Sequence, residues 1–104
     1  MILIELIFET AAVERENVAE LARRTTAATQ QENGGILYRF TTGLDRPNRF
    51  ILTELWESED HLKAHFAGEA FKTFWAELPG GGNFVSSTAW EGPLARYVPP
   101  TPAQ

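Results

Sequence analysis

The sequence predicts a single α+β domain in which helices cover one face of a four-stranded antiparallel sheet, in the order βαββαβ. Three observations carry that expectation. Four short segments are apolar on alternate positions, the period of a strand. Two stretches between them place apolar residues at helical spacing instead. Clusters of Gly, Pro and Asn separate the elements. A chain of 104 residues, 43% hydrophobic and 12% aromatic, supports one packed core and is too short to divide into two.

Residues 2–9 form the first strand, with Ile2, Ile4, Leu6 and Phe8 on one face and Leu3 and Ile7 on the other. A helix over 12–30 carries the apolar stripe Val18, Leu21, Ala22 and Thr25, and Asn33-Gly34-Gly35 stops it. Strands at 36–42 and 49–57 flank the turn Gly43-Leu44-Asp45-Arg46-Pro47-Asn48 and make an antiparallel hairpin. Ser58 caps a helix over 58–67, with Glu59 and Asp60 in its positive first turn. Gly68 breaks that helix. A further helical segment, 69–78, aligns Phe71, Phe74, Trp75 and Leu78, and Pro79-Gly80-Gly81-Gly82 ends it. The last strand is 84–91. Residues 1–92 are thus the folded domain and 93–104 a proline-rich tail. The βαββαβ order is the ferredoxin-like pattern.

The first and third strands are apolar on both faces, although helices can cover only one face of such a sheet. The other face is expected to pack on the same face of a second copy, giving a homodimer in which Tyr97 of the tail anchors on the partner.

The charge balance, 9 − 14 = −5, comes from scattered acidic groups, and no basic stripe is present to neutralise phosphates. Nucleic-acid binding is therefore not expected. With no cysteine, disulfides and thiolate chemistry are excluded together. The apolar start carries Glu5 and Glu9 and lacks the basic region of a signal peptide, and no segment has the length of a membrane span. A reducing, cytoplasmic setting is the default expectation.

The stretch Phe50–Phe66 concentrates the chemistry. Alternation sends Phe50, Leu52, Glu54 and Trp56 to one face, and the following helix brings Leu62, His65 and Phe66 toward the same apolar space. His65 is either a proton acceptor or a core histidine bonded to a carbonyl or to Glu54. Glu54, among apolar neighbours, is either ion-paired, with Arg39 or Arg49, or faces a cavity. Trp56 needs a partner for its N–H if buried. His61 and His65 share an i, i+4 spacing, but no third ligand is evident and no metal is expected. Phe71, Phe74 and Trp75 either fill the core or wall a pocket for a flat aromatic ligand, to which Tyr38 would offer a hydroxyl.

The sequence from Gly34-Gly35 through Tyr38, then Phe50-x-x-x-Glu54-x-Trp56-x-Ser58 and Ala64-His65, resembles the antibiotic biosynthesis monooxygenase domain, in its quinol-monooxygenase-like branch. The resemblance extends over about residues 1–92. It implies a dimeric α+β barrel with a pocket between helices and sheet. It further implies oxidation of aromatic phenols or quinols by dioxygen with no flavin, haem or metal. His65 would then be the base, Glu54 and Trp56 would line and polarise the pocket, and Tyr38 would relay protons. Where the haem-degrading branch uses a tryptophan and a haem-binding histidine, this chain has His65 and Trp75, which argues against haem degradation. Two alternatives stay open: an isomerase of the same fold that anchors a phosphate on Arg39 or Lys72, and a non-catalytic dimer that binds a hydrophobic ligand.

Overall fold

In the computed structural model, which describes residues 1–101, the elements follow the expected order. They are β1 (Ile2–Glu9), α1 (Arg15–Thr29), β2 (Gly35–Thr42), β3 (Arg49–Trp56), α2 (Glu59–Ala67), α3 (Glu69–Glu77) and β4 (Asn83–Glu91). Short 3-10 turns at Ala12–Glu14 and Pro79–Gly81 precede α1 and β4. The strands form one antiparallel sheet in the order β2-β3-β1-β4, and the helices cover one face of it. This is the ferredoxin-like α+β fold. No helix of the described residues is long and apolar enough to cross a membrane.

The core forms where the even-numbered faces of β1 and β3 meet the helices. Leu6, Phe8, Phe50 and Leu52 pack against Val18 and Leu21 of α1 and against Phe74 and Leu78. Phe8 stacks on Phe50 with ring centroids 5.5 Å apart and meets Phe74 edge-on at 6.1 Å. Each such buried side chain contributes roughly 1.5–3 kcal/mol relative to exposure. A second cluster of Ile2, Trp56 and Leu62 extends the core toward α2.

Two irregularities position the site in ways alternation alone does not give. The β1–β4 register shifts after Ile7, so Phe8 faces Phe84 while Ile7 faces Ser86. One extra residue turns Phe84 to the helical side, where its ring lies 5.2 Å from Trp75. On β2 the register shifts between Gly35 and Leu37. Ile36, which strict alternation would put on the face of Tyr38 and Phe40, is left at this bulge, about half exposed.

Gly68, with extended backbone (φ −84°, ψ 164°), separates α2 from α3 as expected. The opposite sheet face, carrying Leu3, Ile7, Ile51, Leu55 and Trp90, has no helix of the described residues over it, and Trp90 is 53% exposed. The described part of the tail has no regular structure and Tyr97 is exposed. The rest of the 93–104 tail, from residue 102, lies outside the described residues.

Candidate active site

The hairpin and α2 bring Glu54, Trp56 and His65 together, all nearly enclosed at 5%, 0% and 2% exposure. Ser58 sets the start of α2: its Oγ accepts the His61 N–H at 3.3 Å, which fixes the helical phase that turns His65 inward. Trp56 Nε1–H donates to Glu54 Oε1 at 3.0 Å, and its indole stacks on the imidazole at 4.7 Å. Trp56 thus orients both polar groups. It was expected to line a pocket with Glu54; instead it stands behind them, sealed from solvent. His65 Nε2 lies 3.7 Å from Glu54 Oε1, close enough for electrostatic coupling but too long for a hydrogen bond.

The other ring nitrogen has a partner that the sequence reading missed. His65 Nδ1 lies 2.6 Å from Glu32 Oε1 across the α1–β2 loop. Glu54, by contrast, has neither of the arginine partners considered for it. Arg49 bonds Glu9 at 3.4 Å. Arg39 is paired in register with Thr53, on the face opposite Glu54. His61 also turns elsewhere: its Nδ1 is 2.7 Å from Ser58 Oγ and its ring packs on Gly34.

Burial raises the pKa of Glu54, while the Trp56 hydrogen bond and the facing His65 pull it back and Glu32 adds to the rise. A carboxyl so placed is displaced toward its neutral, proton-donating form. Burial likewise raises the Tyr38 phenol, with the charge of Glu54 adding to it. Tyr38 therefore stays protonated, and it can donate a hydrogen bond but cannot serve as a base.

The Glu54 shift has a consequence for stability. A carboxyl whose folded pKa lies above its unfolded value stabilises the fold most at pH below the unfolded value, about 4.3, and that contribution is lost as pH rises through the folded value. Glu54→Gln keeps an acceptor for Trp56 and removes the titration. The denaturant midpoint of the wild type relative to Glu54→Gln is expected to fall as pH rises above about 4.3, the unfolded value. A difference that grows in favour of the wild type over that range would contradict the assignment.

A cavity of about 400 Å³ opens between α2, α3 and the sheet. Its floor is Ile4, Leu6 and Leu52, its helical wall is Leu62, Phe66, Phe71, Phe74 and Trp75, and Ser87 and Ala89 of β4 form one side. Tyr38, Glu54 and His65 supply the polar groups at its margin. The volume falls within the small-ligand range of about 300–1,000 Å³. Phe71 and Trp75 are half-buried and leave this space open. A larger cleft, about 610 Å³, lies between α1 and β2 beside Arg15, Arg23 and Arg39, but neither His65 nor Glu54 reaches it.

The sequence profile of the antibiotic biosynthesis monooxygenase family matches residues 1–77, from β1 to the end of α3. The chain belongs to this family. Solved structures agree on the fold. A protein of Deinococcus radiodurans, provisionally named as an antibiotic biosynthesis monooxygenase, superposes with a TM-score of 0.85 at 23% identity, over 96% of this chain and 100% of its own. A conserved protein of unknown function from Bacteroides thetaiotaomicron, described as a possible oxidoreductase, gives 0.80 at 22% identity, over 88% and 96%. A protein of Nitrosomonas europaea, also provisionally named as such a monooxygenase, gives 0.79 at 17% identity, over 88% and 98%. No curated protein matches the chain. The family profile stops before β4, the strand that supplies Ser87, Ala89 and the reoriented Phe84.

Proposed function

We propose that this monooxygenase-family protein oxidises a small aromatic phenol or quinol with dioxygen and needs no flavin, haem or metal to do so. One observation carries the proposal: a buried imidazole, bonded on Nδ1 to a carboxylate, stands at the wall of an open apolar cavity beside Glu54 and Tyr38. An aromatic ring fits the Phe71, Phe74 and Trp75 wall, with its hydroxyl toward the polar margin. His65 Nε2 takes the phenolic proton. Tyr38 O–H, and Glu54 when it carries its proton, donate toward the developing oxyanion between apolar walls that strengthen the interaction.

The resulting phenolate is rich enough in electrons to pass one to dioxygen. Recombination forms a carbon–oxygen bond at the ring, and loss of the ring hydrogen with cleavage of the O–O bond leaves a carbonyl. One oxygen atom enters the product. The other leaves as water with the two hydrogens from O–H and C–H, so no external reductant is required.

The isomerase alternative has no support from charge placement, because Arg39 and Lys72 are absent from the cavity lining. Oxygen uptake by metal-free, flavin-free protein with a panel of hydroquinones and phenols is expected for at least one compound. Ligand binding with no uptake across the panel would leave a non-catalytic binding protein and overturn the proposal.

The uncovered sheet face supports a homodimer built through Leu3, Ile7, Ile51, Leu55 and Trp90 of two copies. Sedimentation at micromolar concentration is expected to give a dimer that Trp90→Glu dissociates; a monomeric wild type would contradict this.

A further inference from the structure

The α1–β2 loop and helix α2 meet at two points one helical turn apart. Gly34 packs against the His61 ring, and Glu32 Oε1 lies 2.6 Å from His65 Nδ1. The loop is itself pinned. Gln31 N–H donates to Ala28 O at 3.2 Å, Glu32 N–H to Thr29 O at 2.9 Å, and Glu57 N–H to Gly34 O at 2.8 Å. Backbone bonds on both sides therefore set where Glu32 stands.

The two carboxyl groups beside His65 have different surroundings. Glu54 is enclosed and its Oε1 holds the Trp56 N–H. The Glu32 side chain is 25% exposed and borders a separate cleft of about 410 Å³, lined also by Gln31, Asn33, Asp60, His61, Ala64 and His65. Glu32 thus borders this second cleft, whereas Glu54 lines the apolar cavity.

A neutral imidazole carries one donor and one acceptor nitrogen, and a carboxylate only accepts. The short contact to Glu32 therefore requires the proton on Nδ1 and leaves Nε2 bare. Stacking on Trp56 at 4.7 Å and edge contacts with Tyr38 and Phe71, both at 5.6 Å, oppose a flip of the ring. The geometry points to Glu32 as a positioning residue that holds His65 in the Nδ1–H tautomer and so aims the Nε2 lone pair toward the Glu54 end of the cavity. When Nε2 takes a proton, Glu32 faces the new positive charge across the ring. The catalytic part rests on His65 being the base of the proposed oxidation; the tautomer does not.

Long-range ¹H–¹⁵N correlation of the His65 ring reads the tautomer with no substrate present. The neutral wild-type ring is expected to carry its proton on Nδ1. Glu32→Gln, whose amide oxygen still accepts, keeps that tautomer, and Glu32→Leu moves most of the population to Nε2–H. In turnover, Glu32→Leu is expected to lower kcat about tenfold or more with KM within about twofold, and Glu32→Gln to recover part of the loss. A neutral wild-type ring protonated on Nε2 would overturn the assignment, as would an unchanged tautomer in folded Glu32→Leu. Should Glu32→Leu not fold, the wild-type and Glu32→Gln spectra decide alone by the same criterion. A wild type that oxidises no phenol defeats the proposed reaction, while the spectra still judge the role of Glu32.

Discussion

His65→Ala is expected to lower oxygen-dependent turnover at least about 100-fold, equivalent to about 2.7 kcal/mol of lost transition-state stabilisation, since general-base removal costs about 10²–10⁴-fold. The loss should fall on kcat, because the ring-binding surface of Phe71, Phe74 and Trp75 is untouched. The circular dichroism spectrum should remain that of the wild type, since the backbone bonds of α2 do not involve the imidazole. Added imidazole, entering the space left beside Trp56, should restore part of the rate. A variant that consumes oxygen at the wild-type rate would remove His65 from the chemistry and return it to the class of core histidines.

Gly34→Ala is expected to cost about 2–3 kcal/mol of stability and to lower the thermal midpoint by on the order of 10 °C. Two effects add. Gly34 has φ +81°, a left-handed conformation that costs a residue with a Cβ about 1–2 kcal/mol. The new methyl would also overlap the His61 ring, which is bonded to Ser58 Oγ at 2.7 Å. Relief requires that this hydrogen bond break or that α2 move, at about 0.5–1.5 kcal/mol for the bond alone. In a His61→Ala background the steric part disappears and only the backbone cost remains, so a double-mutant cycle should show coupling between the positions. Gly34→Ala within about 0.5 kcal/mol of the wild type would mean that the loop is free to shift, and with it Glu32.

The elements were legible because their periods are clean. Alternation set Glu54 and Trp56 on one face, and Ser58 and Gly68 delimit α2 where their chemistry says they should. Alternation also holds the correction to Glu54's expected partners: Arg39 follows Tyr38 and Arg49 precedes Phe50, so both point away from it. The two bulges were not legible, because each inserts one residue without a distinctive side chain, so alternation alone does not give the placement of Phe84 or Ile36. Glu32 was missed for another reason. It lies in Gln31-Glu32-Asn33-Gly34, which reads as a helix stop, and no period links a loop carboxylate to a histidine 33 positions later. Trp56's retreat behind Glu54, and the open space beside Phe71 and Trp75, depend on how the helices settle across the sheet. No pattern within a single element encodes that.

The most direct measurement is the isotopic composition of the product formed under ¹⁸O₂ by metal-free, flavin-free protein from a phenol that supports oxygen uptake. One ¹⁸O atom in the product, with the other in water and no accumulating hydrogen peroxide, is the expected result. An unlabelled product accompanied by hydrogen peroxide would contradict it, since the protein would then remove electrons from the ring without inserting oxygen.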